Sequence, residues 1–198
     1  IAGIFSGIFS PTEAAGIACI YALVVVLFIY KELGWAEILQ SAGKAMVLTA
    51  QVFIIVAAAG VFSWLLTING VPQGLVQWVL ELRFEPWAVL LAINLFLLVV
   101  GMFLDTASSI LVLTPLLAPV AKAMGIDPVH FGVIVIMNLS IGTFTPPFGI
   151  NLFVGQAVFK LPLSVIYPGV IPFIISSLCA LALVTYVPQL SLFILRFL

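Results

Sequence analysis

The sequence predicts an all-α membrane protein with about four transmembrane helices, one of them discontinuous, plus a re-entrant helical hairpin. Three observations carry this. Of 198 residues, 65% are hydrophobic and only 7% charged, with a mean hydropathy of +1.40. A soluble domain carries about 25% charged residues, so the surface here is solvated by lipid. The apolar runs are long enough to cross a bilayer. The run from Val129 to Val158 has no Asp, Glu, Lys or Arg, yet its middle holds Gly142, Thr143, Thr145, Pro146, Pro147 and Gly149. Proline removes a backbone donor and clashes with the preceding turn. In hydrocarbon, broken backbone is tolerated only where protein buries it or a wet cavity lies beside it.

The elements follow in order. Ser10, Pro11 and Glu13 have the spacing of a capping box with proline in the first turn, so a helix starts there and spans about Ala14 to Tyr30. Lys31 to Lys44 is polar and contains Trp35, suited to the headgroup level. A second span covers Ala45 to Ile68, with Ala57 to Gly60 small enough for close helix packing. Asn69 to Pro72 breaks the chain. Gln73 to Leu82 is too short to cross and reads as an interfacial amphipathic helix. After Arg83 to Pro86, two apolar arms, Trp87 to Leu104 and Ile110 to Ala121, flank the polar tip Asp105 to Ser109. From Ala107 to Ala121 a helix covers only about 22 Å, short of a core of about 30 Å. A re-entrant hairpin fits that length, and two full crossings are the other solution. Lys122 to Pro128 is a polar link. The broken span follows, then Lys160 to Pro162, then a last span from about Ile166 to Val187 that passes Pro168 and Pro172. With a re-entrant hairpin, Lys31, Lys44 and Lys160 fall on one side and Arg83, Lys122 and Arg196 on the other, so charge does not choose an orientation.

Composition also excludes functions. A net charge of −1 argues against nucleic acid as a partner. One histidine, His130, makes a histidine-rich metal site a poor fit and excludes bis-histidine haem within the chain. Cys19 and Cys179 lie inside apolar runs and read as buried small hydrophobes, not a disulfide. No hydrolase, P-loop or zinc-peptidase signature is present, so the chain does not read as an enzyme.

Candidate chemistry concentrates in two places. An ionised carboxylate at membrane depth costs a few kcal/mol unless paired, which makes Asp105 the most informative charge. Two roles compete for it and both can hold at once. It caps the helix that starts at Thr106, or it lines an ion or solute path with Thr106, Ser108 and Ser109. At the break, Pro146 and Pro147 leave carbonyls near Gly142 and Thr143 without their helical donors. Such carbonyls, with the hydroxyls of Thr143 and Thr145, suit Na⁺, and the helix resuming after Pro147 offers its positive end to an anion. The competing reading is a proline kink satisfied by neighbouring helices. Asn138 and Asn151 flank the break and either lock helices or touch solute. Asn94 and Gln51 read as interhelical hydrogen-bonders, Glu13 as a cap, and His130, beside Asp127 and Pro128, as an interfacial residue.

At these residues the chain resembles a known family. Residues 7–15 (GIFSPTEAA), 101–111 (GMFLDTASSIL) and 138–153 (NLSIGTFTPPFGINLF) are similar to the large membrane subunit of tripartite ATP-independent periplasmic (TRAP) transporters. The resemblance runs in order along almost the whole chain. It implies one half of an inverted-repeat, elevator-type transporter, here the second repeat, with a hairpin and a discontinuous helix. It implies Na⁺-coupled symport of an organic acid, such as a C4-dicarboxylate or sialic acid, across a bacterial or archaeal inner membrane. The implied partners are a small four-helix membrane subunit, a periplasmic substrate-binding protein and the first-repeat half. By carry-over, Gly142, Thr143, Thr145, Pro146 and Asp105 face Na⁺, with the ion held at Gly142, Thr143 and Thr145. Thr106, Ser108, Ser109, Pro147 and Asn151 face substrate.

The organisation expected from this is a scaffold-type segment with the interfacial helix at residues 1–86, the hairpin and discontinuous helix at 87–160, and a C-terminal transmembrane helix at 161–198. Because the first repeat is missing and the opening residues have the character of mid-protein sequence, the chain is expected to be a piece of something longer that does not transport alone. Two other functions fit less of the pattern: a Na⁺/divalent-anion carrier needing no binding protein, and a structural subunit of a larger membrane complex. A channel is disfavoured because no filter-like repeat or charged ring is visible.

Overall fold

The computed structural model describes residues 2–31 and 33–193, and among these every regular element is a helix. Arg196, used in the charge comparison, lies outside the described residues. The chain divides between Phe53 and Ile54 into two compact units.

In the first unit a short helix α1 (Ala2–Phe5) precedes α2 (Pro11–Val24). The expected capping box is formed: Glu13 N–H donates to Ser10 Oγ at 3.3 Å, and Glu13 Oε2 accepts from Ser10 N–H at 2.8 Å. The helix continues as a π-helical stretch, Val25–Tyr30, and ends where Lys31 turns left-handed at φ 53°. Cys19 faces outward here, and Cys179 is likewise exposed and free, so neither is the buried small residue the apolar runs implied. In lipid an apolar side chain needs no protein cover, which is why an apolar run does not report burial.

The next helix, α3 (Trp35–Ile68), carries the chain across the unit boundary. Its 34 residues rise about 51 Å, well beyond the hydrocarbon thickness. The polar stretch between the first two spans is therefore helical from Trp35 onward, and Glu37 Oε2 accepts the Gly34 N–H at 2.7 Å to fix its start. Ala59 is its one buried residue among those described. A methyl placed on Gly60 would meet nothing within 4 Å, so close helix packing at Gly60 is not made among the described residues.

In the second unit α4 (Val71–Glu81) lies against α6 (Thr106–Ala123), which runs on from α5 (Pro86–Phe103). Then come α7 (Pro128–Gly142), α8 (Ile150–Phe159), α9 (Leu163–Tyr186) and α10 (Pro188–Leu192). Among the described residues, five helical stretches are long and apolar enough to cross a membrane: Pro11–Tyr30, α3, α5, α6 and α9. The second hairpin arm is longer than its apolar run, 18 residues or about 27 Å, because neither Pro115 nor Pro119 ends it. The two arms each pack more closely on α7 than on one another.

That makes α7 the centre of the unit. Val89, Ile93 and Leu97 recur every four residues on α5 and meet Phe131, Val135 and Leu139, spaced the same way on α7. Leu113, Leu117 and Val120 of α6 close the cluster, and Leu75, Val76 and Val79 of α4 pack against it. The short α4, expected at the membrane interface, thus covers protein. Between apolar helices in lipid, such packing works through close contact of side chains and not through exclusion of water.

Candidate functional site

The discontinuous span is formed. Helix α7 stops at Gly142 and α8 begins at Ile150, with residues 143–149 in turns between them. The peptide bond between Pro146 and Pro147 is cis. The break is internally braced. Thr143 Oγ1 donates to Ser140 O at 2.7 Å and accepts from Asn151 Nδ2 at 3.0 Å. Thr145 Oγ1 donates to Ile141 O at 2.7 Å. The carbonyls near the break are not bare: Gly142 O accepts from Thr145 N–H at 3.0 Å and Thr143 O from Asn151 N–H at 2.9 Å. Each carbonyl oxygen has two lone pairs, so each keeps one for a further partner. The donor end of α8 is correspondingly part-used, since the Asn151 N–H already serves Thr143 O.

Asp105 ends the extended link between α5 and α6 and caps α6, its Oδ2 accepting the Ser108 N–H at 3.0 Å. The capping role is therefore real, and the carboxylate remains exposed. Thr106 and Ser108 are half-buried beside it. Ser109 is fully buried, and its hydroxyl has no hydrogen-bond partner. Of the break residues, Gly142 is buried, Thr143, Thr145 and Pro146 are half-buried, and Pro147 and Asn151 are exposed.

The tip and the break are brought to the same end of the unit by two glycines. A methyl placed on Gly142 would lie 2.5 Å from Gly101 C and 2.6 Å from Gly101 Cα; one on Gly101 would lie 3.0 Å from Leu139 O. The main chains of α5 and α7 thus touch one turn before the tip and at the last residue before the break. Phe103 and Phe148 meet across the same junction, their rings tilted by 39° with centroids 5.1 Å apart. The loop is equally tight on itself, because a methyl on Gly149 would lie 2.7 Å from Thr143 O. Among the described residues no group of three or more His, Cys, Asp or Glu clusters as a metal site. The donors gathered at this end are main-chain carbonyls, hydroxyls and the single carboxylate of Asp105.

Residues 1–190 match the family described as the tripartite ATP-independent periplasmic transporter, DctM component. The chain belongs to this family. Among curated relatives of the family, it is 41% identical to a C4-dicarboxylate TRAP transporter large permease protein of Pseudomonas aeruginosa, over 97% of this chain and 45% of that one. It is 42% identical to a sialic acid TRAP transporter large permease protein of Vibrio cholerae, over 97% of this chain and 45% of that one. It is 38% identical to an ectoine/5-hydroxyectoine TRAP transporter large permease protein of Ruegeria pomeroyi, over 98% of this chain and 45% of that one. The chain spans a little under half the length of these relatives. As a family member it is a multi-pass inner-membrane protein and not an enzyme.

Sequence reasoning missed several residues that shape this family member's site. Tyr167 of α9 donates its hydroxyl to Pro147 O at 3.0 Å and ties the last helix to the break. Gly101 was in view only as the first residue of a motif. Asn94 is the interhelical donor expected, bonding Thr185 Oγ1 on α9 at 3.1 Å and accepting from Asn138 Nδ2 at 2.7 Å. Asn138 therefore locks helices, while Asn151 braces the break. Gln51 is exposed on α3 and makes no side-chain hydrogen bond among the described residues. His130 is enclosed by protein: it is 2% exposed, with Nε2 3.2 Å from Thr185 O and Nδ1 2.6 Å from Ser191 Oγ. An apolar run with one polar side chain in it does not say which face that side chain takes.

Proposed function

We propose that this chain is the second inverted-repeat half of a TRAP large permease, part of a Na⁺-coupled, elevator-type importer of organic acids. The observation that supports this is the close approach of α5, one turn before the α6 cap, to the end of α7 at the Gly101–Gly142 contact, just before the helix breaks. The donor set fits a hard monovalent cation. Gly142 O and Thr143 O each retain a lone pair, Thr143 and Thr145 add hydroxyl oxygens, Pro146 keeps its segment out of helical geometry, and Asp105 supplies negative charge. A bound Na⁺ would supply positive charge next to a substrate carboxylate.

The chain's own residues do the rest. Thr106 and Ser108 present hydroxyls at the start of α6, where the helix dipole favours an anion. Pro147 and Asn151 form the exposed side of the break. Ser109 is enclosed with an unpaired hydroxyl, a group that gains a partner when a ligand or the first-repeat half supplies one. The substrate is a small organic acid delivered by a periplasmic binding protein, with a small four-helix membrane subunit beside the permease. The substrates for which relatives are named, C4-dicarboxylate and sialic acid among them, support the class.

The test is Na⁺-dependent uptake by the complete assembly in proteoliposomes, with and without the binding protein, across several organic acids. Thr145→Ala and Asp105→Asn should each lower uptake by about tenfold, the effect of losing one interaction worth about 1.5 kcal/mol to a charged group, while membrane insertion is retained. Uptake and Na⁺ dependence equal to wild type in both variants would refute the site.

A further inference from the structure

We propose that the groove between α6 and α7 binds one anionic phospholipid, with an acyl chain along the groove and the phosphate on Lys122. The groove is a cavity of about 680 Å³, within the range of small-molecule sites, about 300–1,000 Å³. Along α6 it runs from Ile110 to Lys122. That length of helix rises about 18 Å, a little over half of a hydrocarbon core of about 30 Å. The groove therefore has the depth of one leaflet.

Its walls suit an acyl chain. On α6, Pro115 and Pro119 have no N–H to donate, and Ala118 between them is too short to fill the space. Thr114 also lines this wall, but its hydroxyl oxygen is covered, so the surface stays apolar there. On α7, Phe131 and Val135 form a buried floor, and Ile136 on the rim is exposed. Gly132 keeps the space open, because a methyl placed on it would meet nothing within 4 Å. A polar solute finds no free donor on such walls, whereas an acyl chain exchanges one apolar surface for another.

The charge stands at one end only. Lys122 lies in the last turn of α6, is exposed and makes no ion pair among the described residues. The link that follows also carries Asp127, and ionised side chains are costly at membrane depth, which places this end of α6 at the headgroups. A lysine there lays its stem along apolar surface and extends its ammonium to the headgroup. Basic pockets between transmembrane helices select anionic headgroups in this way. Asp127 lines a different cavity, and its Oδ1 accepts the Val129 and His130 N–H groups at 2.8 and 3.1 Å. An anionic lipid brings the apolar chain and the counter-charge in one molecule, in the order in which the groove presents their partners.

The experiment places the complete subunit in nanodiscs doped with phosphatidylglycerol that carries a photoreactive group on its acyl chain, and maps the labelled residues by peptide mass spectrometry. Phosphatidylcholine with the same photoreactive chain is the control for headgroup charge. The phosphatidylglycerol probe should label α6 between Ile110 and Ala121 and α7 between Phe131 and Ile136. Lys122→Gln should lower that labelling about fivefold, to the level of the phosphatidylcholine probe, which is the effect of about 1 kcal/mol for one basic residue at an anionic surface. Gly132→Leu puts a better helix former into open space, so it should fold, and it should abolish labelling of the groove by both probes. Equal labelling by the two probes in the wild-type protein overturns the proposal. So does labelling unchanged in either variant, or a groove that takes no label because a protein segment fills it.

Discussion

A methyl group on Gly142 would come within 2.5 Å of the carbonyl carbon of Gly101, and neither atom belongs to a side chain that can swing away. Forcing it in separates two packed helices, an overpacking cost of about 1–3 kcal/mol. Gly142→Ala should lower the melting temperature of the complete subunit, and Gly101→Ala, whose methyl would meet its neighbours at 3.0–3.2 Å, should lower it less. A melting temperature unchanged in Gly142→Ala would mean that the crossing is looser than described. The asparagine pair makes a second case at this scale. Asn138 Nδ2 donates to Asn94 Oδ1 where both side chains are buried. Interhelical hydrogen bonds in membranes couple by about 0.6 kcal/mol, rarely above about 1.7 kcal/mol. A double-mutant cycle with Asn94→Leu and Asn138→Leu should give a coupling in that range, and a null coupling would show that the bond contributes nothing to folding.

At the level of elements, the α6 cap separates structure from function. Asparagine caps a helix about as well as aspartate, whereas alanine costs about 1 kcal/mol. Asp105→Asn should therefore leave thermal stability nearly unchanged, and Asp105→Ala should reduce it. Loss of Na⁺-dependent uptake in Asp105→Asn at unaltered stability assigns the effect to charge; equal loss of stability in both variants would contradict the capping geometry. Gly149→Ala acts on the break, where its methyl would strike Thr143 O, and should reduce uptake more than it reduces the melting temperature. These elements were legible in the sequence because their causes are local. Ser10 and Glu13 cap within one turn, and Pro146 and Pro147 interrupt a helix wherever it lies. What was not legible depends on which face of a helix meets protein. In water, apolar periodicity marks the buried face. In lipid both faces are apolar, so the inward turn of His130, the outward turn of Cys19 and Cys179 and the Gly101–Gly142 contact had no periodic signal.

For the whole molecule, the chain spans about 45% of the length of its relatives, and in the proposed reading the first-repeat half closes the site. Residues 1–198 expressed alone should insert in the membrane yet give no uptake, and co-expression with the first-repeat half should restore it. Uptake by the isolated chain would remove the need for the first-repeat half. The α5–α7 crossing also constrains how water reaches such a site. A water molecule occupies about the room of the methyl that finds none at Gly142. That joint is consequently a seal: solvent cannot seep along it, and any hydrated passage to Thr143 and Thr145 must open on another flank of the break.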